Sequence, residues 1–133
     1  MILVDTSVLI DIFKGVSNGP ANRMRKVLTH DIPFGITSVI YQEVLQGAKS
    51  EKEFSLLRDY LSCQRFFHPR DLVKTNEDAA RIYFRCRKKG VTIRSTIDCL
   101  IAQIALEQDL LLLHHDKDFD AMASIIKLRF YNR

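Results

Sequence analysis

No stretch of this chain holds the ~20 consecutive apolar residues needed to cross a bilayer as a helix, so a helical membrane protein is excluded and no membrane partner is expected. The N-terminus lacks a secretory signature as well, since its apolar segment has no basic start and carries Asp5 and Asp11. The expectation is a cytoplasmic protein. Cysteine is sparse: Cys63, Cys86 and Cys99 are odd in number, widely spaced and contain no C-x-x-C. That pattern argues against a disulfide framework or a zinc site and for reduced, partly buried thiols. Repeats, low-complexity tracts and linker-like segments are absent, which leaves a single domain spanning residues 1–133. Strong charge of one sign is also missing. A net charge of +4, from 20 Lys+Arg against 16 Asp+Glu, is too mild to identify a nucleic-acid binder by itself.

What is present is enough apolar material for a packed core, 47% hydrophobic against 27% charged, which rules out a disordered chain. Short apolar runs alternate with longer amphipathic ones. Met1–Val4, Phe34–Thr37, Arg65–His68, Leu110–His114 and Lys127–Tyr131 read as strands. Ala21–Thr29, Ser38–Ala48, Glu51–Leu61, Asn76–Lys89 and Ser95–Gln108 read as helices, the fourth stopping at Gly90 where a helix-ending glycine belongs. Strands separated by helices predict an α/β fold with a mainly parallel sheet covered on both faces. Such sheets bind ligands beyond the carboxyl ends of their strands, where strand order reverses. Asp5 and Asp116 both follow strands directly, and adjacency of those strands would bring the two carboxylates together.

Four acids sit oddly for surface charges. Asp5, between Val4 and Thr6-Ser7, reads equally as a helix N-cap and as part of a site. Asp98, three residues after Ser95, reads as a capping-box acid, yet Ile101, Ala102 and Ala105 place it at the top of a buried helix face. An unpaired carboxylate is costly there. Glu43 has Val39, Ile40 and Gly47 as helical neighbours and no local cation; snorkelling to water is the alternative. Asp116 lies in a strand-to-helix turn, where Asp is favoured in any case, and Asp118 and Asp120 compete with it. Two like charges ~4 Å apart cost about 4 kcal/mol at an effective dielectric of ~20. Convergence of these acids therefore calls for protons or a divalent cation, and an all-oxygen set suits Mg²⁺ or Mn²⁺ rather than zinc. The basic residues cluster separately: Arg81, Arg85, Arg87, Lys88, Lys89 and Arg94 crowd one stretch, read either as a solvated helix end or as a phosphate-contacting surface.

In this order the segments resemble those of PIN-domain nucleases, in particular the VapC-type toxins of bacterial toxin–antitoxin pairs. Asp5-Thr6-Ser7-Val8-Leu9-Ile10-Asp11 is similar to the family's opening block. Thr37 to Ala48 looks like its second block with the acid at Glu43, and Thr96 to Ala102 like its third with Asp98. Leu111 to Phe119 looks like the last, with Asp116. The family usually has Thr and then a basic or polar residue just before its last acids, where this chain has His114-His115. Metal ligation, water orientation or simple strand ending are the roles open to that pair, and strand ending is the preferred one.

The resemblance implies a three-layer fold with a five-stranded, mainly parallel sheet flanked by helices. It also implies a metal-dependent endoribonuclease in which Asp5, Glu43, Asp98 and Asp116 hold one or two Mg²⁺ or Mn²⁺ ions. Asp118 is an additional candidate acid, Thr6 a supporting hydroxyl, and Arg87, Lys88, Lys89 and Arg94 candidates for tracking the RNA backbone. A VapB-like antitoxin and a homodimer are the expected partners. Alternatives are a PIN-like nuclease in RNA processing or on DNA without an antitoxin, and a non-catalytic nucleic-acid-binding module. A binding module gains nothing from a negative cluster facing a polyanion. An aspartate-nucleophile phosphatase would need a second acid where Ser7 stands.

Overall fold

A computed structural model describes residues 1–132. Four parallel strands, β1 (Ile2–Val4), β2 (Phe34–Ile36), β3 (Arg65–Phe66) and β4 (Leu111–Leu113), form a sheet in the order β3-β2-β1-β4. The helices are α1 (Thr6–Phe13), α2 (Gly19–Thr29), α3 (Ser38–Gln46), α4 (Glu51–Leu61), α5 (Leu72–Lys88), α6 (Thr96–Glu107) and α7 (Lys117–Ala123). β1 and β4 are buried almost throughout, as strands covered on both faces must be. Among the described residues no helix is long and apolar enough to cross a membrane. Cys86 and Cys99 are buried free thiols and Cys63 an exposed one.

Four strands stand where five were expected. Lys127–Tyr131 meets β4 only at Leu112, whose N–H donates to Arg129 O and whose carbonyl accepts from Tyr131 N. The contact is one parallel bridge, Leu112 to Phe130, at the edge of a three-residue strand. The α5 helix starts four residues before Asn76, because Asp71 caps it by accepting from Lys74 N. Its first residues, Leu72 and Val73, are exposed, so apolar periodicity did not mark them as helical. Asn76 instead donates its side chain to Leu72 O within the helix.

Polar caps set most helix starts. Asp5, Asn18, Thr37, Ser50, Asp71 and Asp116 each accept a backbone N–H of the first turn. Three of these caps directly follow, or closely follow, the carboxyl ends of β1, β2 and β4, which places their side chains along one rim of the sheet. Between β1 and β4 the strand order reverses, since the chain proceeds from β1 through β2 to β3 and then returns to the opposite side. Gly35 in β2 is required by close approach: a Cβ there would lie 2.8 Å from Arg65 O and 2.5 Å from a ring carbon of Phe67.

Candidate active site

At the reversal point, Asp5 N donates to Leu113 O across 2.9 Å, tying the end of β1 to the end of β4. The carboxyl ends of the two strands that carry Asp5 and lead into Asp116 are thereby neighbours. Asp5 is 3% exposed and caps α1 through one oxygen only. Its Oδ2 accepts from Ser7 N at 3.0 Å and from Ser7 Oγ at 2.6 Å. Its Oδ1 is buried and has no hydrogen-bond partner among the described residues. Burial raises the Asp5 carboxyl above its ordinary range, Ser7 pulls it back, and the charge of Glu43 raises it again. The cap and the site are therefore one residue used twice, once by each oxygen.

Asp98 enters from the first turn of α6 and is 8% exposed. Ser95 provides no side-chain cap, so the capping-box reading of Ser95 and Asp98 does not describe this turn. Burial, then the charges of Asp5, Asp116, Glu43 and Asp118 in that order, push its carboxyl up to about 7. Five acids thus share one electrostatic field. Asp98, Asp116 and Asp118 each offer an oxygen within 4.8 Å of the others. Glu43, half-buried on α3, accepts from Thr6 Oγ1 at 2.8 Å. Thr6 thus supports Glu43, whereas the neighbouring Ser7 orients Asp5.

Asp116 and Asp118 do not exclude one another. Asp116 caps α7 by accepting from Asp118 N at 2.9 Å, and Asp118 itself is buried in the first turn. A single cation spans both. Arg94 donates its backbone N to Asp118 Oδ2 at 2.9 Å, its Nε to the same oxygen at 3.3 Å, and Nη2 to Asp116 at 3.1 Å. In this structure Arg94 is the counter-charge of the acids. The other sequence-suggested RNA contacts lie along the end of α5, where Arg87 covers the Tyr83 ring and Lys88 the Phe84 ring.

The two histidines differ. The His114 side chain is 8% exposed and packs against the Phe119 and Phe130 rings. Its Nδ1 accepts from Asp116 N at 3.0 Å, which leaves the proton on Nε2, and burial lowers its pKa. His115 faces outward, with its backbone N on Ser7 Oγ and its ring 2.9 Å from Asp11 Oδ2. Asn18 also donates to Asp11, and it is the first reason, ahead of His115, that the Asp11 carboxyl is lowered. Sequence reading missed Ser7, Asp11 and Asn18 as parts of this rim. The Ser7 hydroxyl beside Asp5 and the Asn18–Asp11 contact, seven residues apart, are local, whereas the contacts to His115 join residues about a hundred positions apart.

The donor set suits a hard divalent cation. All available ligands are carboxylate oxygens, three of them close together, and a fourth acid keeps one oxygen buried and unpartnered. Among the described residues Arg94 is the cation paired with these acids, and the raised Asp98 carboxyl favours its protonated form when no metal is bound.

Comparison with known proteins identifies the family and the fold. Residues 2–125 match the sequence profile of the PIN domain. Ribonuclease VapC11 of Mycobacterium tuberculosis is 31% identical over 130 residues, covering 97% of this chain and 96% of the relative. The fold resembles a chain in the structure of VapBC2 from Rickettsia felis bound to promoter DNA, with a TM-score of 0.73, 20% identity, and coverage of 100% and 99% of the two chains. It is equally close to a chain of VapBC-1 from nontypeable Haemophilus influenzae, with a TM-score of 0.73, 19% identity, and coverage of 99% and 98%.

Proposed function

Because this chain belongs to the PIN-domain family and to its VapC branch, we propose that it is a metal-dependent endoribonuclease, the toxin of a type II toxin–antitoxin pair. The observation that carries the reading is the convergence of Asp98, Asp116 and Asp118 beside the unpartnered Oδ1 of Asp5. Asp5, Asp98, Asp116 and Asp118 would hold Mg²⁺ or Mn²⁺, with Glu43 at the edge of the set. When bound, such a cation supplies Lewis acidity, which activates water and offsets charge developing on the scissile phosphate.

The chain's own residues prepare that chemistry. Ser7 locks Asp5 in one rotamer by two hydrogen bonds to a single oxygen, keeping the other oxygen available. Thr6 holds Glu43 by one hydrogen bond from the adjacent position. The Nδ1 of His114 fixes the backbone of Asp116, so the turn that presents two acids is braced from below. Arg94 tempers the negative field that would otherwise repel a polyanion. Cleavage at this site would leave 5′-phosphate and 3′-hydroxyl ends.

A VapB-like antitoxin is the partner proposed, since this chain's structural relatives are chains of VapBC complexes, and a homodimer is the assembly that the family resemblance implies. Acting on cellular RNA, the protein would work in the cytoplasm. The test is an RNA pool incubated with wild type and Asp5→Asn, with Mg²⁺, Mn²⁺ or chelator, followed by mapping of the ends. Wild type should cleave only with cation, and Asp5→Asn should lose at least a hundredfold in rate while retaining its melting behaviour. Undiminished cleavage by Asp5→Asn removes Asp5 from the site. Co-expression with the adjacent reading frame should yield a stable complex.

A further inference from the structure

Beside the acids lies a cavity of about 760 Å³, shared between the acid-bearing rim, α2 and the segment after α7. Asp116 and Arg94 form its border with the metal-binding residues, and Arg23, His115, Lys117 and Tyr131 line the rest that matters here. The volume falls in the range of small-molecule and cofactor sites. Resting on the ribonuclease reading, we propose that this cavity is a nucleotide subsite, taking one base of single-stranded RNA next to the scissile phosphate.

Two aromatic side chains, Phe130 and Tyr131, stand in the wall. Phe130 is engaged by His114, with ring centroids 4.5 Å apart. Tyr131 has no ring partner among the described residues, and its backbone N is fixed to Leu112 O at 2.9 Å. Tyr131 is thus anchored at its backbone and packed in part against the core, and the remainder of its side chain lines the cavity. His115 is fixed too, by Ser7 Oγ at its backbone and Asp11 at its ring, although half of its side chain stays exposed. The Tyr131 and His115 rings suit stacking, which costs little ordering entropy and gives a modest base preference through differences in stacking strength.

Two cations accompany them. Arg23 on α2 and Lys117 at the start of α7 line the cavity, and neither pairs with a carboxylate among the described residues. The basic residues at the end of α5 are different, because Arg87 and Lys88 lie over Tyr83 and Phe84 and do not line this cavity. A strand entering the acids past Arg23 and Lys117 would set its phosphates on uncommitted charge and its base on Tyr131. Arg94, already at the border, lies where that strand reaches Asp116.

The test uses the full chain carrying Asp5→Asn as a non-cleaving background, and a fluorescently labelled RNA hexamer followed by anisotropy over a salt series. Tyr131→Ala should weaken binding about tenfold and Tyr131→Phe should keep it, because stacking on one ring contributes about that factor. Arg23→Gln and Lys117→Gln should each weaken binding and flatten the salt dependence by about 0.7 in log–log slope, the loss of one phosphate contact on a single strand. In the cleaving background, Tyr131→Ala should change nucleotide preference at one position beside the cut. Unchanged affinity, salt slope and cleavage map across these variants overturn the subsite. If RNA binding holds while capture of the co-expressed partner falls, the cavity is the partner's and the proposal is wrong. Failure of wild type to cleave any RNA is a separate result, which overturns the ribonuclease reading itself. Exposed Lys117 and half-buried Arg23 keep the test decisive should Tyr131→Ala fold poorly.

Discussion

Replacing Asp98 by asparagine separates the electrostatic cost of the acid cluster from its chemistry. The side chain is 8% exposed, and its carboxyl is pushed from 3.8 up to about 7, by burial first and then by four neighbouring acids. The folded protein therefore holds this proton more tightly than the unfolded chain does. A group of that kind contributes stability that is full below its unfolded pKa and is lost as pH rises through its folded pKa. The window here runs from 3.8 to about 7. Over it, the cation-free protein loses at most about 4 kcal/mol at this one residue. Asparagine keeps the shape, carries no charge to bury, and can donate its amide to the surrounding carboxylates. With chelator present, Asp98→Asn should match wild type at the acid end of that window and exceed it above the neutral end. If half of the ceiling is realised, ~2 kcal/mol raises Tm by about 8 °C for a domain of this size. Saturating Mg²⁺ should then raise the wild-type Tm and leave the variant nearly unmoved, while RNA cleavage by the variant is lost. Melting curves followed by circular dichroism across pH, with and without cation, read all of this. Parallel Tm–pH curves for the two proteins, or a variant less stable above neutrality, would refute the claim that Asp98 ionises against a shared negative field.

Arg94→Gln should behave in the opposite sense. Asp116 and Asp118 lose their counter-charge, so the cation-free Tm should fall above neutral pH, Mn²⁺ should bind more tightly by calorimetry, and cation should recover most of the Tm. Equal Mn²⁺ affinity would show that Arg94 does not share the acids with a cation. For His114, ¹⁵N-resolved spectra at pH 6.5, its ordinary midpoint, should show a mainly neutral ring with the proton on Nε2, because burial lowers its pKa. Stability from that neutral ring is present above 6.5 and lost as pH falls through the lowered folded value; a doubly protonated ring at the midpoint contradicts the packing. Gly35→Ala should cost about 1–3 kcal/mol, since the added carbon meets Arg65 O in the neighbouring strand, and an unchanged Tm would show that β2 and β3 can part without loss.

Much of the fold was legible because its causes are local. A carboxylate or hydroxyl before an amphipathic run caps a helix whatever lies elsewhere, and Asp5 does so as its cap reading indicated, while Thr37 and Ser50 cap in the same way without having been singled out. Glu51–Leu61 was bounded to the residue. The start of α5 was missed because exposed Leu72 and Val73 carry no inward periodicity. The fifth strand shrank to a bridge because its backbone meets β4 around one residue, a contact no local pattern specifies.

The sequence by itself determined that strands would alternate with helices, that acids would stand at strand ends, and which hydroxyls flank the first of them. Those features follow from hydrophobic period and capping, which act over a few residues. Only the tertiary structure decided what the acids meet. Pairing of β1 with β4 brings Asp5 beside the turn at Asp116, more than a hundred residues away in the chain. The same pairing buries Asp118, gives Arg94 its place between two carboxylates, and commits His114 to the backbone of Asp116. Charge interaction depends on separation and local dielectric rather than on position in the chain, so which carboxylates share a field was settled only when the strands took their order.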